Sequence, residues 1–300
     1  GRFDKHPPTD PTTGMFRPIK EERELGKGIR EEIRAALPPL LDNTSGDPLV
    51  EAIGLAGKFN VTISQEMLNG HLTEPKNPIG VRLAALKRIE SAKPDDFTQM
   101  LVKLTSDPDA QMRGPALAAL GRASSDEAFR ACNEILASGT PSDKQLAIDL
   151  LATLDHPKAP DVLLGMMKDL GKQPLGIQLD IIEASQKRGG AALEEALATY
   201  EAGIPKDDPL APFKITLEGG DASNGRSIFF NNGSANCRQC HKVGDRGGDA
   251  APNLAGIASR EGSEYILESI VAPNAKLTLG YSPIAVTMKD GTVVAGMLMK

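Results

Sequence analysis

Cys237-Arg238-Gln239-Cys240-His241 brings two thiols and an imidazole together within one short stretch. At this spacing the cysteines lie one helical turn apart, where each can form a thioether with a vinyl group of a haem, and the adjacent imidazole falls beneath the iron. The stretch reads as a covalent attachment site for one haem c, with Cys237 and Cys240 as thioether donors and His241 as proximal iron ligand. Three other readings compete. A structural zinc site needs four ligands, and the only other cysteine, Cys132, is more than a hundred residues upstream. A thioredoxin-like redox pair sits between a strand and a helix in a βαβ unit, and no such alternation surrounds the motif. A surface dithiol without function would be an exposed liability.

What positions this motif is a long, mostly helical chain. From about Glu21 to Gly203 the apolar spacing predicts helices over Glu22–Ala36, Pro48–Phe59, Gly80–Ser91, Gln111–Ala123, Asp126–Ala137, Ser142–Leu154, Ala159–Leu170, Gly176–Lys187 and Ala191–Ala202, with strand signals nearly absent. A repeat of 31 residues runs through them: Val81-Arg82-x-x-Ala85-Leu86-x-x-Ile89 aligns with Met112-Arg113-x-x-Ala116-Leu117-x-x-Leu120 and with Asp143-Lys144-x-x-Ala147-Ile148-x-x-Leu151. Weaker copies lie at Val50 to Gly57 and Ile177 to Ala184. The alanine lets helices approach closely, and the flanking aliphatic residues fill the groove. The pattern resembles a HEAT-type α-solenoid of about five degenerate helix pairs, and an ordinary helical bundle is the competing reading. Residues 1–20 carry prolines and turn formers without apolar period and read as an irregular arm or linker. Residues 204–220 read as a second linker, with Phe213, Ile215 and Leu217 packing an extended segment.

Around the motif the order of signals is specific. Asp221 or Ser223 caps a short helix through Gly225-Arg226-Ser227-Ile228-Phe229-Phe230. After the cysteines come a glycine-rich loop (Val243 to Gly248), then Ala251-Pro252-Asn253-Leu254, then a predicted helix over Ser259–Val271. This order resembles a class I cytochrome c. The resemblance implies that Pro252 offers its backbone carbonyl to the second nitrogen of His241, that Leu254 lies on the haem face, and that Phe229 and Phe230 pack beside the haem.

Beyond residue 280, Ile284, Val286 and Met288, then Asp290-Gly291, then Val293, Ala295, Met297 and Met299 predict a β-hairpin around a two-residue turn. Pairing Met288 with Val293 puts these apolar residues on one face, which should then be buried. The stretch over residues 219–300, with GRSIFF, CRQCH, APNLAGI, REGSEYILESI and VTMKDGTVVAGML, is similar to the haem-binding domain of the planctomycete and verrucomicrobial type. In that family the domain follows HEAT-like repeats and a β-propeller resembling sugar dehydrogenases, which implies an electron-transfer part of a larger dehydrogenase-like protein. The family's distal ligand is a methionine in a Met-Pro segment past the hairpin. Here the sequence stops at Lys300, inside an expected strand, so either the haem domain is cut short and its distal methionine is missing, or Met297 or Met299 substitutes for it, with core filling as the alternative role of both.

The expected architecture is therefore mainly α: a HEAT-like solenoid over 21–203, then a class I cytochrome c-like haem domain over 221–300 with a β-hairpin insertion. The expected function is electron transfer to or from a redox partner protein or a fused dehydrogenase, with the repeats as docking scaffold and no catalytic side chains. A haem enzyme or gas sensor with an open distal side is an alternative, although residues 221–300 hold no second histidine for a peroxidase-like site. A scaffold with structural haem is another. A net charge of -6, 40% hydrophobic and 25% charged residues suit a globular protein with no basic stripe for nucleic acid, and no apolar run is long enough for a membrane span. Thioether attachment argues for a periplasmic or otherwise extracytoplasmic location, and Gly1 in place of an initiator methionine reads as a processed or excised chain. Cys132 reads as a packing residue, and His6, His71 and His156 read as solvated or helix-end histidines.

Overall fold

A computed structural model describes residues 26–276, 281 and 283–297. The chain divides into two compact units, Gly1–Phe97 and Thr98–Lys300.

The first unit holds α1 (Lys27–Asn43), α2 (Asp47–Lys58), α3 (Gln65–Thr73) and α4 (Ile79–Ala92), with α2 packed on α1 and α4, and α3 on α4. Of the helix predicted over Glu22–Ala36, the first residues lie outside the described ones, and its end is corrected: α1 runs through Pro38 and Pro39 to Asn43. Two prolines remove backbone donors, but Leu37 and Leu41 on this turn are buried, and that packing offsets the lost hydrogen bonds. The helix α3, absent from the sequence reading, starts where the Ser64 hydroxyl accepts from the Met67 N–H.

The second unit continues with α5 (Phe97–Leu104), whose first residue lies at the boundary, then α6 (Ala110–Ala123), α7 (Ser125–Ser138), α8 (Pro141–Thr153), α9 (Ala159–Lys168), α10 (Leu175–Arg188) and α11 (Ala191–Ala202). Side-chain caps start three of them: Asp109 for α6, Ser124 for α7, and a Thr140–Asp143 capping box for α8. The positions that recur in sequence are buried in turn, Ala85, Leu86 and Ile89 in the first unit, then Ala116, Leu117 and Leu120, then Ala147, Ile148 and Leu151. Polar links join helices about thirty residues apart. Arg113 Nε donates to Asp143 Oδ1 at 2.6 Å, Gln145 donates to the Gly176 carbonyl at 3.1 Å, and Arg188 donates to the carbonyls of Leu151 and Leu154 at 2.7 and 2.8 Å. Cys132 is fully buried in α7, and burial pushes its thiol up to about 12, which leaves it unreactive.

Asp143 gives the second unit an acid limit. Burial alone would raise its pKa, but hydrogen bonds from Thr140 and Arg113 and the guanidinium charge together hold it below the ordinary carboxylate value. The folded state then binds the carboxylate more tightly than the unfolded chain does. Its contribution is complete above the unfolded pKa of about 3.9 and is lost as pH falls through the lower folded value. Asp143→Asn is expected to lower urea stability at pH 7 and to flatten the loss between pH 5 and acid pH; an unchanged acid limb would contradict this.

Residues 211–217, expected to be extended, form a 3-10 helix instead. Pro212 fixes its own φ within helical range near the start, the Asp208 carboxylate accepts from the Leu210 N–H at 2.8 Å, and Lys214 pairs with Asp208 at 2.7 Å. This segment packs on α10 and on a later helix, α15 (Ser263–Val271). Gly219, at φ +82°, lies so close to the first turn of α10 that a Cβ would come within 2.8 Å of the Gly176 carbonyl oxygen.

From Asp221 onward come α12 (Ala222–Asn231), α13 (Cys237–Cys240), the two-residue strands β1 (Lys242–Val243) and β2 (Arg246–Gly247), α14 (Ile257–Arg260), α15, and the hairpin of β3 (Pro283–Thr287) with β4 (Val293–Met297). The single helix expected over Ser259–Val271 is broken at Glu261-Gly262, where Gly262 takes an extended conformation and begins α15.

The hairpin register is also corrected. Thr287, not Met288, faces Val293, and Val286 faces Val294. Met288 donates to the Thr292 carbonyl and accepts from the Gly291 N–H, so the loop has three residues, with Gly291 at φ +88°. One extra loop residue moves one strand by one place and turns its side chains to the other face. Ile284, Val286 and Met288 consequently share a face with Val294, while Val293 and Ala295 lie on the opposite one. The expected burial is absent among the described residues, Val293 being 62% and Val294 54% exposed.

Candidate functional site

The helix α12 is started by Asp221, whose carboxylate accepts from the N–H groups of Ser223 and Asn224 at 2.7 and 3.1 Å. It ends in Phe229 and Phe230, which meet edge to face with ring centroids 4.9 Å apart. Phe230 is the one buried hydrophobic side chain among the described residues from 221 onward. The guanidinium groups of Arg226 and Arg246 lie 5.0 and 4.7 Å from its ring centre.

After α12, Asn236 adopts a left-handed conformation at φ +50° and starts the single turn that carries Cys237 and Cys240. The turn stops at His241, which is extended. From here three backbone hydrogen bonds fasten the following loop to the motif: Gly248 N to Arg238 O at 2.9 Å, Ala251 N to Cys240 O at 2.9 Å, and Leu254 N to Lys242 O at 2.8 Å. The approach requires glycine, because a Cβ on Gly247 or Gly248 would collide with the carbonyl oxygens of His241 or Gln239. An ion pair between Lys242 and Asp249 closes the same loop.

The result is a contact of 2.9 Å between His241 Nδ1 and the Pro252 carbonyl oxygen. A carbonyl only accepts, so the proton of the neutral ring is on Nδ1 and the lone pair is on Nε2. That is the tautomer of a metal ligand held by a backbone partner. Among the described residues no group of three or more His, Cys, Asp or Glu side chains converges as ligands of one ion would. Apolar side chains of this stretch are only half-buried, among them Phe229, Leu254, Ile257 and Ile266, and Ile228 and Ile270 are more exposed still.

Residues 222–297 match the family model for cytochrome c. The match supports a cytochrome c-like haem-binding domain in this stretch and indicates haem c as the group it binds. A search of curated proteins returned no match. The residues present fit the group: thiols for covalent attachment, an imidazole in the ligating tautomer, and an apolar surface that a porphyrin would cover. The match supports a haem-based electron-transfer role.

Of the residues singled out in the sequence, the structure brings Cys237, Cys240, His241, Pro252 and Leu254 into one hydrogen-bonded unit and puts Phe229 and Phe230 on the preceding helix. Met297 pairs through its backbone with Pro283 at the end of the hairpin, and Met299 lies outside the described residues. His71 and His156 belong to the helical part; His156 stacks on Phe129 with ring centroids 3.9 Å apart. Sequence reasoning missed Asn253. Its Nδ2 donates to the Gly244 carbonyl at 3.1 Å while its Oδ1 accepts from the Ala255 N–H at 2.9 Å. An asparagine after a proline is itself a turn signal, and reading it as one would have marked the position.

Proposed function

We propose that the chain is a c-type cytochrome whose single haem relays electrons between a redox partner and a docked or fused dehydrogenase, with the helical part as its docking scaffold. The observation that carries this reading is the His241–Pro252 hydrogen bond beside the two cysteines, because it prepares Nε2 to bind iron and strengthens the imidazole as a donor. Cys237 and Cys240 would hold the porphyrin covalently, and Leu254, Phe229 and Phe230 would exclude water from its edge. Haem supplies a one-electron couple whose potential depends on axial ligation and burial. Buried alanines recurring at a fixed period and the polar links between successive helices support a HEAT-like solenoid, a form that offers extended surfaces for partners. The likeness to the planctomycete-type haem-binding domain supports the dehydrogenase connection and an extracytoplasmic location. No helix among the described residues is long and apolar enough to cross a membrane.

Optical spectra of the oxidised and reduced protein, with and without carbon monoxide, test the reading. A low-spin spectrum with a near-infrared sulfur-to-iron band and no response to carbon monoxide is expected, with Met297 or Met299 as sixth ligand. Met297→Ala and Met299→Ala then identify which one by loss of the band. A high-spin spectrum that shifts with carbon monoxide would favour an open-sided haem enzyme or sensor.

A further inference from the structure

The His241–Pro252 contact depends on the orientation of one peptide unit, the one joining Pro252 to Asn253. Pro252 has no N–H, so its own backbone cannot anchor it. The loop is fastened on either side, at Ala251 to Cys240 and at Leu254 to Lys242, but neither bond engages the intervening peptide itself. We propose that the Asn253 side chain fixes the orientation of that peptide and is therefore a positioning residue for the iron ligand. This rests on the reading of His241 as that ligand. The amide gives a donor and an acceptor at once: Nδ2–H reaches the Gly244 carbonyl in the turn between β1 and β2, and Oδ1 takes the Ala255 N–H. The Gly244 carbonyl, in a turn where that residue has φ +63°, accepts from Asn253 Nδ2, so the site needs a donor of this length. Aspartate lacks the donor, and serine keeps the short bond to Ala255 but is too short to reach Gly244.

Held in place, the Pro252 oxygen draws on the Nδ1 proton and makes Nε2 a stronger donor, which favours ferric iron. Released, it donates less. Asn253→Ala in the full-length, haem-loaded protein is expected to raise the midpoint potential, changing the reduction equilibrium about threefold to tenfold, or about 30–60 mV for one electron. The His241 Nδ1 proton should exchange with solvent about fivefold faster, the size of one lost hydrogen bond. Asn253→Ser should shift both in the same direction. In the unmodified protein the Asn253 Nδ2 protons should be protected from exchange. A lower melting temperature with unchanged potential and unchanged Nδ1 exchange would show a structural role only and overturn the proposal, and so would unprotected Nδ2 protons if neither variant loads haem. Failure of the underlying reading is separate: unmodified protein without covalent haem, or a His241→Ala protein with an unaltered spectrum.

Discussion

The Cys237→Ala/Cys240→Ala double variant, made in a host that attaches haem outside its cytoplasm, will lose all covalent haem. Acidified organic solvent should extract nothing from the unmodified protein and everything from the variant, and the intact mass should fall by that of one haem beyond the two substitutions. Both cysteines sit on a single turn whose start is fixed by Asn236 and whose end is fixed by His241, so their separation is set by backbone geometry. Neither thiol is withdrawn into the protein, since Cys237 is half-buried and Cys240 exposed, in contrast to the buried Cys132. Each single variant keeps one thioether and should resist extraction while altering the reduced absorption band. Haem that leaves the unmodified protein under extraction would rule out covalent attachment.

The second large effect concerns order. In the same double variant, amide hydrogen exchange is expected to rise about a hundredfold or more through α12 to α15 while α6 to α11 keep their protection. The reason is the difference in core. The helices from α6 to α11 bury Met112, Leu120, Ile148, Leu151, Leu163 and Ile181 almost completely, whereas from residue 221 onward Phe230 alone is buried among the described residues. Small domains with little buried apolar surface need a staple, and binding that accompanies folding is felt as stability. Here haem, held by Cys237, Cys240 and His241, would be that staple. Unchanged protection over residues 222–276 would mean that the side chains alone support the domain.

Much of this arrangement is legible in the sequence for local reasons. The cysteines and His241 are adjacent, and the 31-residue period repeats one short pattern, so neither needs knowledge of distant contacts. Helices with clear apolar spacing were placed nearly to their ends, as Ala191–Ala202 shows. What escaped depends on competition between local rules and packing. Pro38 and Pro39 signal an end, and buried Leu37 and Leu41 override it. Asp290-Gly291 signals a two-residue turn, yet Met288 closes on Thr292 across three residues, and a one-residue difference reversed one strand of the hairpin. Gly247 and Gly248 read in the sequence only as part of a glycine-rich loop, although their lack of a Cβ is what lets the Pro252 loop reach the motif.

The short 3-10 helix at residues 211–217 has a kinetic consequence. A free chain of that linker's length, 204–220, would let its two ends wander over about 23 Å, and a haem on such a tether would meet partners by random search at a local concentration set by its length. This segment instead packs on both α10 and α15 and so is not such a free tether. For the proposed relay, a haem domain packed in this way would be found by a partner through orientation rather than by tethered search, so lengthening the linker should relax partner selectivity before it slows the reaction.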